Sequence, residues 1–498
     1  MRKSTSYKRW RKARLFIVPV VALGLIAPTS KPANANLLDN LFSVFEPQDD
    51  QKIGAEQHER VVAQYGGEYI QEGLNEYILD IGLRLAFVSE MRDLPWRFTI
   101  LNSPVVNAFA LPGGYVYITR GLLALATNEA EVAGVLAHEI GHVTARHGAA
   151  RQSRATGIGL LGALAGVLTG SSIVQELGQQ LGGLYVASYS REQEYEADQL
   201  GVRYLGKAGY PREAMADFLA RMQAQTEYMA ALTGNSGGGS FDFFASHPQT
   251  GDRIERAATS ATQNADDLDR QFEKERYLAA IDGMLYGDDP KEGIIRGREF
   301  LHPVLKFKFM APEGFQLINS SQAVYAVDGK GSQMVFDLGK QANSGQSMAN
   351  YLQQEWLAKL TVPSVNSIEV GGAPAAVTRL TLDRNGTTIY LTAAAIDFGG
   401  GRVARFVYQS TVSDSSLQGR FTQSFQSFRS IDDAEAAAIK PARIEIEAVT
   451  SGEDLSSILS GMAYVSKDKK ALFILLNPSF EDGMPPAGQE YKNIKFGS

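Results

Sequence analysis

Apolar positions change their spacing several times along the chain, and each change marks a new element. Residues 36–95 place apolar side chains every three or four positions, as in "EQHERVVAQYGG" and "GLNEYILDIGLRLAFVS", which predicts amphipathic helices. "WRFTILN" and "VYIT" are β-rich, and "SPVVNAFALPGG" joins them with Pro and Gly punctuation. From Thr127 to about Arg146 the helical period returns. Asn128 followed by Glu131 makes a capped start there, with Glu129 and Glu131 suited to the positive end of the helix dipole. A helical region then runs to about residue 280, broken by the flexible composition of "TGNSGGGS" at 233–240.

After "LHPVLKFKFMAPEGF" (301–315) the period shortens to that of strands: "VYAVD", "QMVFDLG", "AAVTRLTL", "TTIYLTAAAIDF" and "VARFVYQST". One helix, "SMANYLQQEWLAKL", sits among them. The expected architecture is an α+β multidomain protein. A mainly helical domain with a small sheet covers 36–300, an α+β domain 301–432, a linker 433–442, and a small module 443–498. No 34-residue pattern repeats, which argues against a solenoid.

The two ends of the hydropathy scale alter this picture at two places. Residues 1–14 carry seven basic residues and no acid, "LFIVPVVALGLIA" (15–27) follows, and "KPANA" puts Ala33 and Ala35 at the positions of a small-residue cleavage site. That layout predicts a secretory signal over 1–35, cleaved near Ala35. Residues 155–174 bear no charge, yet five glycines, two serines and two threonines favour a helical segment packed against neighbours, or dipping into a lipid surface, over a membrane span.

Removing residues 1–35 takes away eight of the 48 basic residues and none of the 55 acids, leaving a net charge of −15. Such an acidic chain is a poor partner for nucleic-acid phosphates. Cysteine is absent, so disulfides and thiolate metal ligands are excluded. Export without cysteine fits a bacterial periplasm, with association to membrane or cell wall left open.

Three of the six histidines fall within "VLAHEIGHVTARHG" (135–148). His138 and His142, four apart on a helix, aim both imidazoles at one point, and Glu139 lies within reach of a water held there. The alternative is a capped core helix with two partly exposed histidines. A third ligand decides between them. The pattern H-E-x-x-H-x-x-G-x-x-H fails, because Ala145 and Gly148 stand at its last two positions. His147 falls about 140° around a continuing helix from His142, which predicts a surface or helix-terminal residue. A later helix, "SREQEYEADQLGVRYLGKAGYP" (190–211), opens on a Ser190/Gln193 capping box and stops at Gly209 and Pro211. It carries Glu194 and Asp198 on one face. Glu194 suits a metal ligand and Asp198 an acceptor for a ligand imidazole, with Glu192 and Glu196 solvated on other faces. Three protein ligands with a fourth position open to water describe a catalytic zinc site, one Zn²⁺ per chain. Glu139 would then be the general base.

"LAHEIGHVTARHG" together with "SREQEYEAD", "NAFALPGG" (107–114) and "SHPQTGDRI" (246–254) resembles the zinc metallopeptidase family of HtpX and the CAAX prenyl proteases, and the exported start resembles its BepA-like periplasmic branch. The four segments occur in family order over roughly 48–260. The resemblance implies a metalloprotease of the H-E-x-x-H…E (gluzincin) type. It implies that Asn107, Ala108, Phe109 and Ala110 form an edge strand pairing with extended substrate, which suits backbone capture. It also implies that His247 lies near the metal and Arg253 points into the cleft. The pair would stabilise the oxyanion, or His247 would fill the fourth zinc position and hold the enzyme latent. Residues 443–498 resemble a divergent LysM repeat, through "GEDL", "LLN" and "PAGQEY", implying peptidoglycan as a partner. No TPR array follows the protease segment, unlike the periplasmic relatives. The expected function is an exported zinc endopeptidase acting on unfolded or misassembled envelope proteins. A latent zinc-bearing chaperone for outer-membrane proteins and a peptidoglycan-associated binding protein are the alternatives.

Overall fold

The structure is a computed structural model that describes residues 47–148, 189–233, 243, 247–248, 251–263, 272–320, 323–341, 345–384, 387–463, 466 and 468–497. The expected signal (1–35), the charge-free stretch (155–174) and most of the 233–240 loop lie outside the described residues. Among the described residues no helix is long and apolar enough to cross a membrane.

Helices dominate the first part. They are α1 (Pro47–Gln64), α2 (Leu74–Phe87), α3 (Arg120–Leu125), α4 (Glu129–Thr144), α5 (Arg191–Ala208), α6 (Ala214–Thr233), α7 (Arg253–Gln263) and α8 (Lys274–Ile281). Between α2 and α3 lie three short strands, β1 (Arg97–Leu101), β2 (Ala108–Leu111) and β3 (Tyr115–Thr119). β3 is central, with β1 parallel to it and β2 antiparallel at the edge. α4 is buried along its whole length from Glu129 to Val143, so its sequence is apolar on every face except where chemistry needs otherwise. Its first turn is fixed locally. The Asn128 side chain accepts the Glu131 N–H at 2.9 Å, and the Glu131 carboxylate accepts the Thr127 N–H at 2.9 Å.

The second part pairs β5 (Ile294–Arg296), β6 (Glu299–His302) and β7 (Phe307–Met310) with a short β15 (Arg429–Ser430), in the order β15-β7-β6-β5. The 300/301 boundary expected from the sequence therefore falls inside β6. The strands β8 (Gln316–Asn319), β9 (Val324–Val327), β10 (Gln333–Lys340), β11 (Asn366–Val370), β12 (Ala373–Arg384), β13 (Thr387–Gly399) and β14 (Arg402–Ser410) form a seven-stranded antiparallel sheet in the order β11-β12-β13-β14-β10-β9-β8. One of its cores is aromatic, with Phe300, Phe307, Phe309, Phe336, Phe406 and Phe428 buried together. A separate core gathers Met348, Tyr351 and Leu352 against Ala393, Ala395 and Val403.

The last part orders β16 (Ala442–Ala448), two helices (Leu455–Gly461 and Lys469–Leu476) and β17 (Glu490–Phe496). β16 pairs with β17 and also with β4 (Leu285–Tyr286), so this module completes its sheet with a strand from earlier in the chain. Lys492 reaches further. Its buried ammonium donates to the carbonyls of Ala124, Leu125 and Ala126 at 2.7, 3.2 and 2.8 Å, closing the C-terminal end of α3. Burial pulls its pKa down to about 7, although the Glu131 carboxylate favours the charged form.

Candidate metal centre

Two glycines set the distance between α4 and α5. A Cβ on Gly141 would lie 3.0 Å from the Ala197 carbonyl oxygen, and one on Gly201 would lie 3.3 Å from the backbone nitrogen of His138. With hydrogen in those places the helices approach closely enough for their polar side chains to converge. α5 enters this contact from a full capping box, in which Ser190 accepts from Gln193 N and the Gln193 side chain accepts from Ser190 N.

His138 and His142 of α4, Glu194 of α5 and His247 each offer one ligand atom, all lying within 4.8 Å of one another. His138 Nε2 is 3.0 Å from His142 Nε2 and 3.2 Å from His247 Nδ1. Glu194 Oε1 is 3.1 Å from His247 Nδ1 and 3.4 Å from His142 Nε2, and Glu194 Oε2 is 3.5 Å from His138 Nε2. An ion held tetrahedrally by nitrogen and oxygen at about 2.05 Å requires donors about 3.3 Å apart, so the spacing fits such an ion. The charge fits as well. Glu139, Glu194 and Asp198 are buried against one buried guanidinium, Arg253, leaving an excess of two negative charges that a divalent cation neutralises.

The supporting contacts are equally specific. His138 Nδ1 lies 2.9 Å from Asp198 Oδ1. Burial pulls the His138 pKa down, but hydrogen bonds to Asp198 and Glu194 outweigh it and hold it at about 9. His142 goes the other way, lowered mainly by burial. Burial raises Asp198, and its bonds to Arg253 and His138 more than reverse this, so it stays ionised. Glu139 presents Oε1 3.4 Å from His247 Nε2. Phe243 stacks on the ring of His247 and Tyr189 on that of His142, at centroid distances of 4.3 and 3.8 Å.

Two residues sit differently from their sequence expectation. Arg253 does not point freely into a cleft. Nε and Nη2 donate to Asp198 at 2.9 and 2.8 Å, Nη1 is 2.7 Å from Glu194, and Nη1 also approaches the carbonyls of His247 and Pro248. With its donors turned to these groups and no exposed surface, it braces the acidic residues instead of offering hydrogen bonds to a reacting carbonyl. His147 lies just past the end of α4, as the helix-terminal expectation has it, but it is buried and not on the surface. The helix expected to continue past Thr144 ends there, Arg146 takes a left-handed φ of 55°, and the chain turns back. No signal marks that turn, since arginine is not a residue that favours it.

A family model described as Peptidase family M48 matches residues 72–261, the stretch that holds every residue of this cluster. That match covers 190 of the chain's 498 residues. The chain is 34% identical over 229 residues to the putative beta-barrel assembly-enhancing protease of Vibrio cholerae, covering 42% of this chain and 45% of that one. It is 30% identical to the beta-barrel assembly-enhancing protease of Escherichia coli K12, over 38% of this chain and 39% of that one. It is 28% identical to the mitochondrial metalloendopeptidase OMA1 of Schizosaccharomyces pombe, over 42% and 59%. The chain thus spans about half the length of the curated relatives it matches.

Within residues 72–261, β2 has a strand partner on one side only among the described residues. Asn107, Ala108, Phe109 and Ala110 are all buried, with Asn107 tied to Thr119 through both its N–H and its carbonyl. A recess opens beside His142, lined by Met91, Leu94, Leu111, Val143 and Tyr189. At it stands an ion pair between Arg146 and Asp50 at 2.7 Å.

Proposed function

We propose that the chain is an exported, zinc-dependent endopeptidase that cuts unfolded or misassembled proteins of the cell envelope. The observation that carries this reading is the convergence of His138, His142 and Glu194 from two facing helices, with the Glu139 carboxylate buried beside them. Zinc suits a donor set of imidazoles and carboxylate without cysteine. When bound it supplies a polarised scissile carbonyl and a water that is nucleophilic near neutral pH. His138, His142 and Glu194 hold the ion. Asp198 accepts the Nδ1 proton of His138 and keeps Nε2 turned to the centre. Glu139 takes the proton of the attacking water and delivers it to the departing amine. The edge formed by Asn107 and β2 (Ala108–Leu111) aligns an extended substrate backbone, and the apolar recess takes a neighbouring apolar side chain. An envelope client is supported by the relatives' names and by the signal-like residues 1–35.

His247 gives the second reading its footing. Its Nδ1 occupies the fourth corner of the donor set, where a catalytic site needs room for water, and the whole cluster is closed to solvent. In the latent form His247 stays in place and the protein acts as a zinc-bearing assembly factor; in the active form it withdraws. The strand–helix–helix–strand order of 442–496 is compatible with the LysM-like reading, and the glycan-binding role that reading implies is tested by a peptidoglycan pull-down with and without residues 443–498. The central reading is tested with casein. Wild-type chain loaded with Zn²⁺ should cleave it, and Glu139→Gln should keep one zinc per chain while losing about 10²–10⁴-fold in rate. Full activity in that variant refutes the assignment.

A further inference from the structure

The two metal-facing rings of α4 are oriented by different means, and only one was legible in the spacing of α5. His138 leans on a carboxylate directly, Nδ1 to Asp198 Oδ1 at 2.9 Å. His142 has no carboxylate on its outer nitrogen. Its Nδ1 lies 2.9 Å from Nδ1 of His147, and Nε2 of His147 lies 3.3 Å from Oε2 of Glu196. His147 is 5% exposed, whereas the Glu196 side chain is 60% exposed.

The protons in this chain of contacts have one consistent arrangement once Nε2 of His142 serves as a ligand. A ligating imidazole keeps its proton on the other nitrogen, so His142 donates from Nδ1. His147 must then accept at Nδ1, which puts its own proton on Nε2, where the Glu196 carboxylate accepts it. Every polar atom along the line is matched, and the tautomer of His142 is set from outside the cluster. We infer that His147, backed by Glu196, is a positioning residue that fixes the ring and tautomer of His142 for metal binding. The inference rests on the proposed metal reading. It assigns a role to the histidine that a straight helix would have left outside the site.

The turn at Arg146 is what makes this possible. Five residues along an unbroken helix would separate the two rings, but the end of α4 at Thr144 and the left-handed residue at 146 bring His147 back beside His142. Tyr189 stacks on the open face of His142 and lies 6.1 Å from the ring of His147, so the imidazole is held both in plane and from above.

The test measures metal directly, on the full chain with Zn²⁺ and Co²⁺ as probes. His147→Leu keeps bulk and removes the acceptor, while His147→Asn returns an acceptor oxygen at the place of Nδ1. Competition with a chelating indicator gives affinity, and chelator-driven loss gives the dissociation rate. Visible spectra of the Co²⁺ form report the geometry. His147→Leu should bind Zn²⁺ about 10–100-fold more weakly and shift the Co²⁺ bands, with most of the affinity restored in His147→Asn. Glu196→Ala, at an exposed position that leaves folding intact, should show a smaller loss of the same kind. Wild-type affinity and spectrum in His147→Leu, or equal losses in His147→Leu and His147→Asn, overturn the inference. Should His147→Leu not fold, an unchanged dissociation rate in Glu196→Ala overturns it instead. A wild-type chain that takes up no metal would fail the underlying metal reading, which is a different result.

Discussion

Replacing Gly141 with alanine puts a methyl group where α4 and α5 touch. The new Cβ would sit 3.0 Å from the Ala197 carbonyl oxygen, 3.2 Å from Ala197 Cα and 3.3 Å from Leu200 Cβ. Carbon contacts are comfortable at about 3.5–4.0 Å, so α5 must retreat by about 0.3–0.5 Å. Backbone atoms cannot swing aside as a side-chain tip does. Ala197 sits between Glu194 and Asp198, so the retreat carries both acids away from the histidines, beyond the roughly 0.2 Å tolerance of a metal–ligand bond. Stability offers a sign test. Glycine to alanine inside a helix ordinarily gains about 0.8–1.0 kcal/mol, whereas overpacking costs about 1–3 kcal/mol. The net expectation is a loss of up to about 2 kcal/mol in urea unfolding of the metal-free protein, with clearly weakened Zn²⁺ affinity. A gain of about 1 kcal/mol with unchanged affinity would refute the close approach.

His247→Ala opens the fourth corner of the cluster. If the closed arrangement is favoured by about 1.4 kcal/mol or more, casein cleavage should rise about tenfold, and a fall in rate would show that His247 assists the reaction instead of blocking it. Arg253→Met leaves Asp198 and Glu194 without their counter-charge in a buried site. It should lower unfolding free energy by about 3–5 kcal/mol, and near-wild-type stability would contradict the bracing role. Exchanging Met91 for lysine places a charge in the recess beside His142. Cleavage-site profiling of a peptide mixture should then lose its apolar preference, and an identical profile would remove the recess from substrate recognition.

The four-residue spacings in "HEIGH" and "EYEAD" made it legible that His138 with His142, and Glu194 with Asp198, share helix faces, because the α-helical period is fixed by backbone geometry. The capped starts at Asn128 and Ser190 were readable for a similar reason, since each involves residues only three apart. What could not be read depended on a left-handed residue or on distant chain. Arg146 adopts a conformation its side chain does not favour, so the burial of His147 beside His142, just past the end of α4, has no local signal. The engagement of Arg253 with Asp198 spans 55 residues and leaves no local trace. The hairpin of β5 and β6 is so short that its membership in the second sheet shows only through its pairing with β7.

The amine of Lys492 meets the carbonyl of Ala124 across 368 residues of intervening chain. During synthesis from the N-terminus, α3 therefore emerges long before the group that will satisfy its trailing oxygens. Those oxygens gain their Lys492 partner only once β17 is in place. Assembly of this helical layer is thus tied to the arrival of β17, a built-in delay for a chain whose candidate metal cluster lies far earlier, between His138 and His247.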